Sequence, residues 1–138
     1  MHGKQLRLFV ADDSALLRGY VLDTIRELGR IQVVGQASDV PTAIAGIRKS
    51  MPDVVILDIR MPGGSGIDVL KTIKTDQPAP TVIMFTNYPD PQYRKQCLQA
   101  GADYFFDKSL EFEALGDVLR DLVRLFDLTQ HRQRVTKA

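Results

Sequence analysis

Three apolar runs in the chain each stop at a residue able to take part in phosphate chemistry. Residues 6–11 run into Asp12-Asp13, residues 54–57 into Asp58, and residues 82–85 into Thr86. A fourth run, Tyr104-Phe105-Phe106, is followed within two residues by Lys108. If the runs are parallel strands of one sheet, these residues meet at one sheet edge, because open α/β sheets bind ligands at the carboxyl ends of their strands. Three carboxylates, a hydroxyl and an ammonium would then share a cleft.

Such a cluster needs compensation. Two unit charges ~4 Å apart repel by roughly 4 kcal/mol at an effective dielectric of about 20. Asp12, Asp13 and Asp58 together therefore call for a cation, a proton or both. A divalent hard cation answers this: Mg2+ takes one or two carboxylates, keeps waters and leaves room for a phosphoryl oxygen. A single aspartate after a strand can equally cap a helix or face its dipole. Capping does not account for an adjacent pair joined by a third carboxylate after another strand. Asp58 stands alone at the end of the most apolar run, where a carboxylate can act as a nucleophile and form an aspartyl phosphate. The metal would neutralise charge on the incoming phosphoryl group. Lys108 would pair with a phosphoryl oxygen as a point charge, and Thr86 would offer its hydroxyl. The plain readings of these two are a solvated loop lysine and a strand-end threonine with ordinary β propensity; only their positions raise them.

The elements that must position these groups alternate strand and helix five times. Strands are predicted over 6–11, 32–37, 53–57, 81–85 and 102–106. The first helix opens near Ser14, repeats Leu17, Val21, Ile25 and Leu28 at helical spacing, and ends by Gly29. The second opens at Ser38-Asp39 with Pro41 in its first turn. Pro62–Gly66 is a loop by composition, followed by a helix carrying Ile67, Leu70 and Ile73. Pro89 and Pro91 fit the first turn of the fourth helix, which runs to Ala100-Gly101. Ser109 can cap a fifth helix striped with Leu115, Val118, Leu119, Leu122, Leu125 and Phe126. The unbroken apolar character of 54–57 suits a central parallel strand buried on both faces. Five βα units with right-handed crossovers make an α/β fold, an open doubly wound parallel sheet; a closed eight-unit barrel needs far more chain.

Composition narrows the classes further. At 138 residues the chain reads as one domain, with 44% apolar and 25% charged residues, as in ordinary globular proteins. A net charge of +1 points to neither nucleic acid nor membrane. The one cysteine, Cys97, excludes an intrachain disulfide and fits a reducing compartment. With no signal-peptide-like start, the expected location is cytoplasmic. The expected organisation is an extension over 1–5, a domain over 6–128, and a basic tail over 129–138 that frays.

At this point the residues resemble a response-regulator receiver domain, the phosphoacceptor module of two-component signalling. The resemblance spans roughly residues 6–127. It rests on Val10-Ala11-Asp12-Asp13-Ser14, then Asp58-Ile59-Arg60-Met61-Pro62-Gly63-Gly64-Ser65-Gly66, then Phe85-Thr86, then Ala100–Lys108. It implies a flavodoxin-like (βα)5 sheet of order 2-1-3-4-5. It implies Asp58 as phosphoacceptor, and Mg2+ held by Asp13, Asp58 and the backbone carbonyl of Arg60, with Asp12 acting through water. Lys108 would contact the phosphoryl group, Thr86 would be the switch hydroxyl and Phe105 the switch aromatic. Phosphorylation would draw Thr86 inward, Phe105 would follow, and the face of helix four, strand five and helix five would repack. The implied partners are a histidine kinase or histidine phosphotransfer protein and a downstream protein target, with no direct DNA binding, no membrane, and a possible phosphorylation-dependent homodimer.

Several positions depart from the family pattern. Ser109 follows Lys108 where proline is common, so a trans bond is expected. Asn87 follows Thr86 where a small residue is usual. Arg60 is large and charged beside the site, and Phe105 has no hydroxyl. Elsewhere, Gly63-Gly64-Ser65-Gly66 lacks the spacing of a dinucleotide cradle. Cys97 is expected as an inert packed thiol. His2 and His131 are isolated. Tyr88 and Tyr93 suit either packing or a partner surface.

Two other functions compete with the phosphoacceptor reading. A receiver-like interaction module without phosphorylation would be expected to lack an acidic residue or the lysine. A hydrolase of the haloacid-dehalogenase type would want an aspartate where Arg60 stands. The chain reads as a stand-alone receiver that catalyses only its own phosphorylation and dephosphorylation, or as the N-terminal receiver of a longer DNA-binding regulator.

Overall fold

The computed structural model describes residues 4–137, with side chains for all of these but Leu17 and 131–137. Five parallel strands form the sheet: β1 (Leu6–Ala11), β2 (Ile31–Ala37), β3 (Val54–Leu57), β4 (Thr81–Thr86) and β5 (Tyr104–Asp107). Their order is β2-β1-β3-β4-β5, as the resemblance implies. The helices are α1 (Ala15–Leu28), α2 (Val40–Ser50), α3 (Gly66–Ile73), α4 (Pro91–Gln99) and α5 (Phe112–Lys137).

Alternation along the strands sends side chains into two cores. Phe9, Val55, Leu57, Met84 and Phe105 pack beneath α2, α3 and α4 with Ile47, Leu70, Ile73 and Cys97. Leu8, Val10, Ile56, Ile83 and Phe85 pack beneath α1 and α5 with Val21, Ile25, Leu115 and Leu119. All four residues of β3 are buried, as its unbroken apolar run predicts. The strands also end in step. Ala11 lies opposite Leu57 and Leu57 opposite Met84, while Thr86 lies opposite Asp107. The residues that follow each strand therefore emerge along one edge.

The helix starts follow local chemistry. Asp39 caps α2 by accepting the Thr42 N–H, with Pro41 in the first turn. Ser65 and Asp68 close a capping box on α3. Asp90 caps α4, with Pro91 as its first residue.

Some expectations are corrected. The loop over Pro62–Gly66 is partly ordered into a ribbon, Arg60–Met61 antiparallel to Gly64–Ser65. Pro89 lies outside α4. Ser109 does not cap α5, which begins three residues later; Asp107 captures it instead. The helical backbone continues to Lys137, past the end of the apolar stripe, where a frayed tail is expected. Residues 129–137 contain neither glycine nor proline, and their Gln, Arg and Lys are good helix formers, so nothing local ends the helix. The start of the N-terminal extension, residues 1–3, lies outside the described residues. Among the described residues, no helix is long and apolar enough to cross a membrane.

Candidate functional site

Asp12, Asp58 and Lys108 each continue the sheet ladder one step beyond a strand. The Asp12 N–H donates to the Ala37 carbonyl at 3.0 Å, the Asp58 N–H to the Ala11 carbonyl at 3.0 Å, and the Lys108 N–H to the Thr86 carbonyl at 2.9 Å. The three loops after β1, β3 and β5 therefore leave the sheet at one height, and the side chains converge. The Lys108 ammonium donates to Asp58 Oδ2 at 3.0 Å and also to Asp12 Oδ2. These side chains are almost wholly shielded, Lys108 at 3% and both aspartates at 6% exposure, so their charges are weakly screened. Asp13 is exposed, yet its carboxylate comes within 4.8 Å of those of Asp12 and Asp58.

The remaining acceptors are used as well. Asp12 Oδ1 takes the Ser14 N–H at 2.8 Å, and the Asp12 carbonyl takes the Arg18 guanidinium at 2.5 Å. Asp58 Oδ1 takes the Ile59 N–H at 2.7 Å. Burial pushes the Asp58 carboxyl above its ordinary value; Lys108 opposes this and Asp12 adds to it. A second cation would therefore favour ionised Asp58.

Gly66 sets the backbone of Asp58. Its N–H donates to the Ile59 carbonyl at 2.6 Å, and a Cβ placed on it would stand 1.8 Å from the Asp58 carbonyl oxygen. Only a residue without a side chain lets α3 begin against that peptide. The sequence motif includes this glycine, but spacing does not show what it touches.

Thr86 is fully buried at the end of β4, and its hydroxyl oxygen accepts the Tyr88 N–H at 3.0 Å. The Tyr88 ring lies under the Arg60 guanidinium, whose carbon is 3.8 Å from the ring centroid. Arg60 and Asp13 line one open cleft of about 670 Å³ that also borders Tyr93 and Gln96. Phe105 is already inside, 4% exposed, with the Arg94 guanidinium carbon 5.5 Å from its ring centroid. Sequence reasoning missed Arg18 and the link from Thr86 through Tyr88 to Arg60. By sequence Tyr88 suits either packing or a partner surface, and neither reading links it to Thr86 or Arg60. Cys97 is fully buried, with its thiol pushed up to about 11. The Lys108–Ser109 bond is trans, since the one cis bond among the described residues is Gln77–Pro78.

The family model of the response regulator receiver domain matches residues 8–120. Among curated proteins, a protein-glutamate methylesterase/protein-glutamine glutaminase of Desulfotalea psychrophila is 35% identical over 133 residues, covering 91% of this chain and 36% of that protein. The DNA-binding transcriptional activator DevR/DosR of Mycobacterium tuberculosis is 26% identical over 85% of this chain and 54% of its own length. The chain thus spans between about a third and a half of these two relatives. Among solved structures, the response regulator domain of Thermotoga maritima CheB is 32% identical with a TM-score of 0.76, covering 88% of this chain and 96% of that one. The CheX-CheY-BeF3-Mg2+ complex of Borrelia burgdorferi contains a chain 27% identical with a TM-score of 0.76, covering 90% of this chain and 91% of that one. With its sheet order matched and its sequence aligned through nearly the whole domain, this chain belongs to the response regulator receiver domain family of two-component signalling.

Proposed function

We propose that this receiver takes a phosphoryl group on Asp58, with Mg2+, from a histidine kinase or histidine phosphotransfer protein. The observation that carries the reading is the buried Lys108 ammonium shared by Asp12 and Asp58, with the Asp13 carboxylate within 4.8 Å of both. All the donors are hard oxygens, which suits Mg2+. Asp13, Asp58 and the Arg60 carbonyl would hold the ion, with Asp12 acting through water. When bound, it supplies positive charge against the phosphoryl oxygens.

The chain's own groups do the rest. Asp58 attacks phosphorus through a carboxylate oxygen. The bond from phosphorus to the donor's imidazole nitrogen breaks, and its electron pair stays on that nitrogen. The Lys108 ammonium, 3.0 Å from Asp58 Oδ2, needs only a short shift to meet a phosphoryl oxygen. The Thr86 hydroxyl oxygen accepts the Tyr88 N–H through one of its two lone pairs, and its O–H would donate to the phosphoryl group. Turning it would disturb Tyr88 and the Arg60 stacked on that ring.

The signal would leave through the α4-β5-α5 face. Cys97 is the only buried residue of α4, so this helix is held by little apolar contact and can shift at low cost. Phe105, 4% exposed, would follow Thr86 into the space it vacates. Output would run through protein contacts with a downstream target, with a phosphorylation-dependent homodimer as one form. The setting would be cytoplasmic. Turnover would be confined to the receiver's own phosphorylation and dephosphorylation.

The test is intact mass after incubation with Mg2+ and a small acyl phosphate, beside Asp58→Asn. One added phosphoryl group in the parent and none in the variant is the expected result. No adduct in the parent, together with no response to beryllofluoride, would overturn the proposal in favour of a phosphate-independent interaction module.

A further inference from the structure

The turn that carries Lys108 is tied together by its own neighbours. Asp107 Oδ1 accepts the Ser109 N–H at 2.8 Å and the Ser109 hydroxyl at 2.7 Å. The Asp107 N–H donates to Glu111 Oε1 at 3.2 Å. The Asp107 carbonyl receives the N–H groups of Leu110 at 3.3 Å and Glu111 at 2.8 Å. The residues before and after Lys108 are thus bonded to one another across it. The lysine's main-chain N–H faces the Thr86 carbonyl, and its side chain enters the acidic cluster.

This lock has a direct geometric consequence. The Lys108 ammonium stands 3.0 Å from Asp58 Oδ2, so an ångström of backbone drift would remove that bond. The main-chain bonds fix the start of the turn at Asp107 and Lys108, and on its far side the Asp107 carboxylate is what holds Ser109. Ser109 and Leu110 are exposed, and α5 begins only at Phe112. The two Ser109 donors hold the Asp107 carboxyl below the ordinary carboxylate value.

We propose that Asp107 is a positioning residue for phosphoryl transfer, acting through Ser109 to set where the Lys108 ammonium stands. It touches no reacting atom. The proposal rests on the reading of Asp58 as phosphoacceptor for its kinetic consequence, and on geometry alone for the placement of Lys108.

The test compares Asp107→Ala, Ser109→Ala, Ser109→Thr and the double alanine variant. Three quantities are measured: the rate constant of phosphorylation by acetyl phosphate at saturating Mg2+, the NMR resonance of the Lys108 ammonium, and the melting temperature. Asp107→Ala should slow phosphorylation about tenfold, the order expected when hydrogen bonds to a charged group are lost. Ser109→Ala, which keeps the main-chain bond, should slow it about threefold on the same basis. Ser109→Thr should restore the parental rate. The double variant should be no slower than Asp107→Ala, because the hydroxyl works only through that carboxylate. The ammonium resonance should move in each slowed variant. Rates within twofold of the parent, an unmoved resonance, or additive losses would overturn the proposal. So would a lowered melting temperature with an unchanged rate per folded molecule. If the parent takes no phosphate, the reading of Asp58 fails, while the resonance still decides whether Asp107 positions Lys108. If Asp107→Ala does not fold, Ser109→Ala and its threonine rescue decide the question.

Discussion

Replacing Gly66 with alanine tests whether the start of α3 sets the site. The new Cβ would lie 1.8 Å from the Asp58 carbonyl oxygen and 2.8 Å from its carbon, against an ordinary contact of 3.4 Å or more. Either α3 or the Asp58 peptide must therefore move by roughly 1.6 Å, the difference between the two distances. Neither can move freely, because residues on both sides are in the core: Leu57, Ile59, Ile67 and Leu70 are all buried. Overpacking of this kind costs about 1–3 kcal/mol. Losing the 2.6 Å bond from the Gly66 N–H to the Ile59 carbonyl adds about 0.5–1.5 kcal/mol. The expected destabilisation is roughly 1.5–4.5 kcal/mol, or a melting temperature lower by about 5–18 °C for a domain of this size. An ångström of misplacement at Asp58 should also slow phosphorylation on the order of 100-fold per folded molecule. Urea unfolding and phosphoryl uptake measure the two effects separately. Gly19→Ala is the control. A Cβ there meets nothing within 4 Å in the middle of α1, so alanine should stabilise by about 0.5–1 kcal/mol without changing the rate. A Gly66→Ala protein with parental stability and parental rate would refute the reasoning.

Other outcomes follow from the contacts around the cleft and at the helix ends. Arg60→Ala and Tyr88→Ala each remove the stacked pair beside the cleft. An exposed cation–π contact is worth roughly 0.5–1 kcal/mol, so either change should alter the lifetime of the aspartyl phosphate about two- to fivefold. The double variant should match the singles, and additive effects, read from the decay of the adduct, would show that the pair does not act as a unit. At the start of α2, the Thr42 N–H and hydroxyl hold the Asp39 carboxyl below its ordinary 3.8. Its stabilising effect is therefore present above that value and lost as pH falls through the lower folded one. Asp39→Ala should be less stable than the parent at neutral pH, with a gap that closes in acid; a gap constant from pH 7 to pH 2 in thermal melts would contradict this.

Much of the molecule is legible in its residue order. The apolar runs over 54–57 and 82–85 define central strands, and the acidic pair, Asp58, Thr86 and Lys108 declare themselves by following such runs. That works because burial imposes a period on the chain, and the period is local. The sheet order and the meeting of Asp12 with Lys108, 96 positions away, are different in kind. They depend on which strands lie side by side, which the topology supplies and periodicity cannot. The same holds for smaller contacts. Composition marks Pro62–Gly66 as a loop, but only packing shows the Gly66 backbone against the Asp58 carbonyl. Ser109 is a good cap by type, yet Asp107 lies closer and takes both its donors before α5 begins. The end of the apolar stripe near Phe126 marks where α5 leaves the core, whereas the helical backbone continues to Lys137 as one piece with the packed turns before it. Local pattern thus determined which residues are strand, helix and chemistry. Tertiary structure decided which of them touch, because a contact between distant residues is a property of the packed fold and not of either sequence neighbourhood.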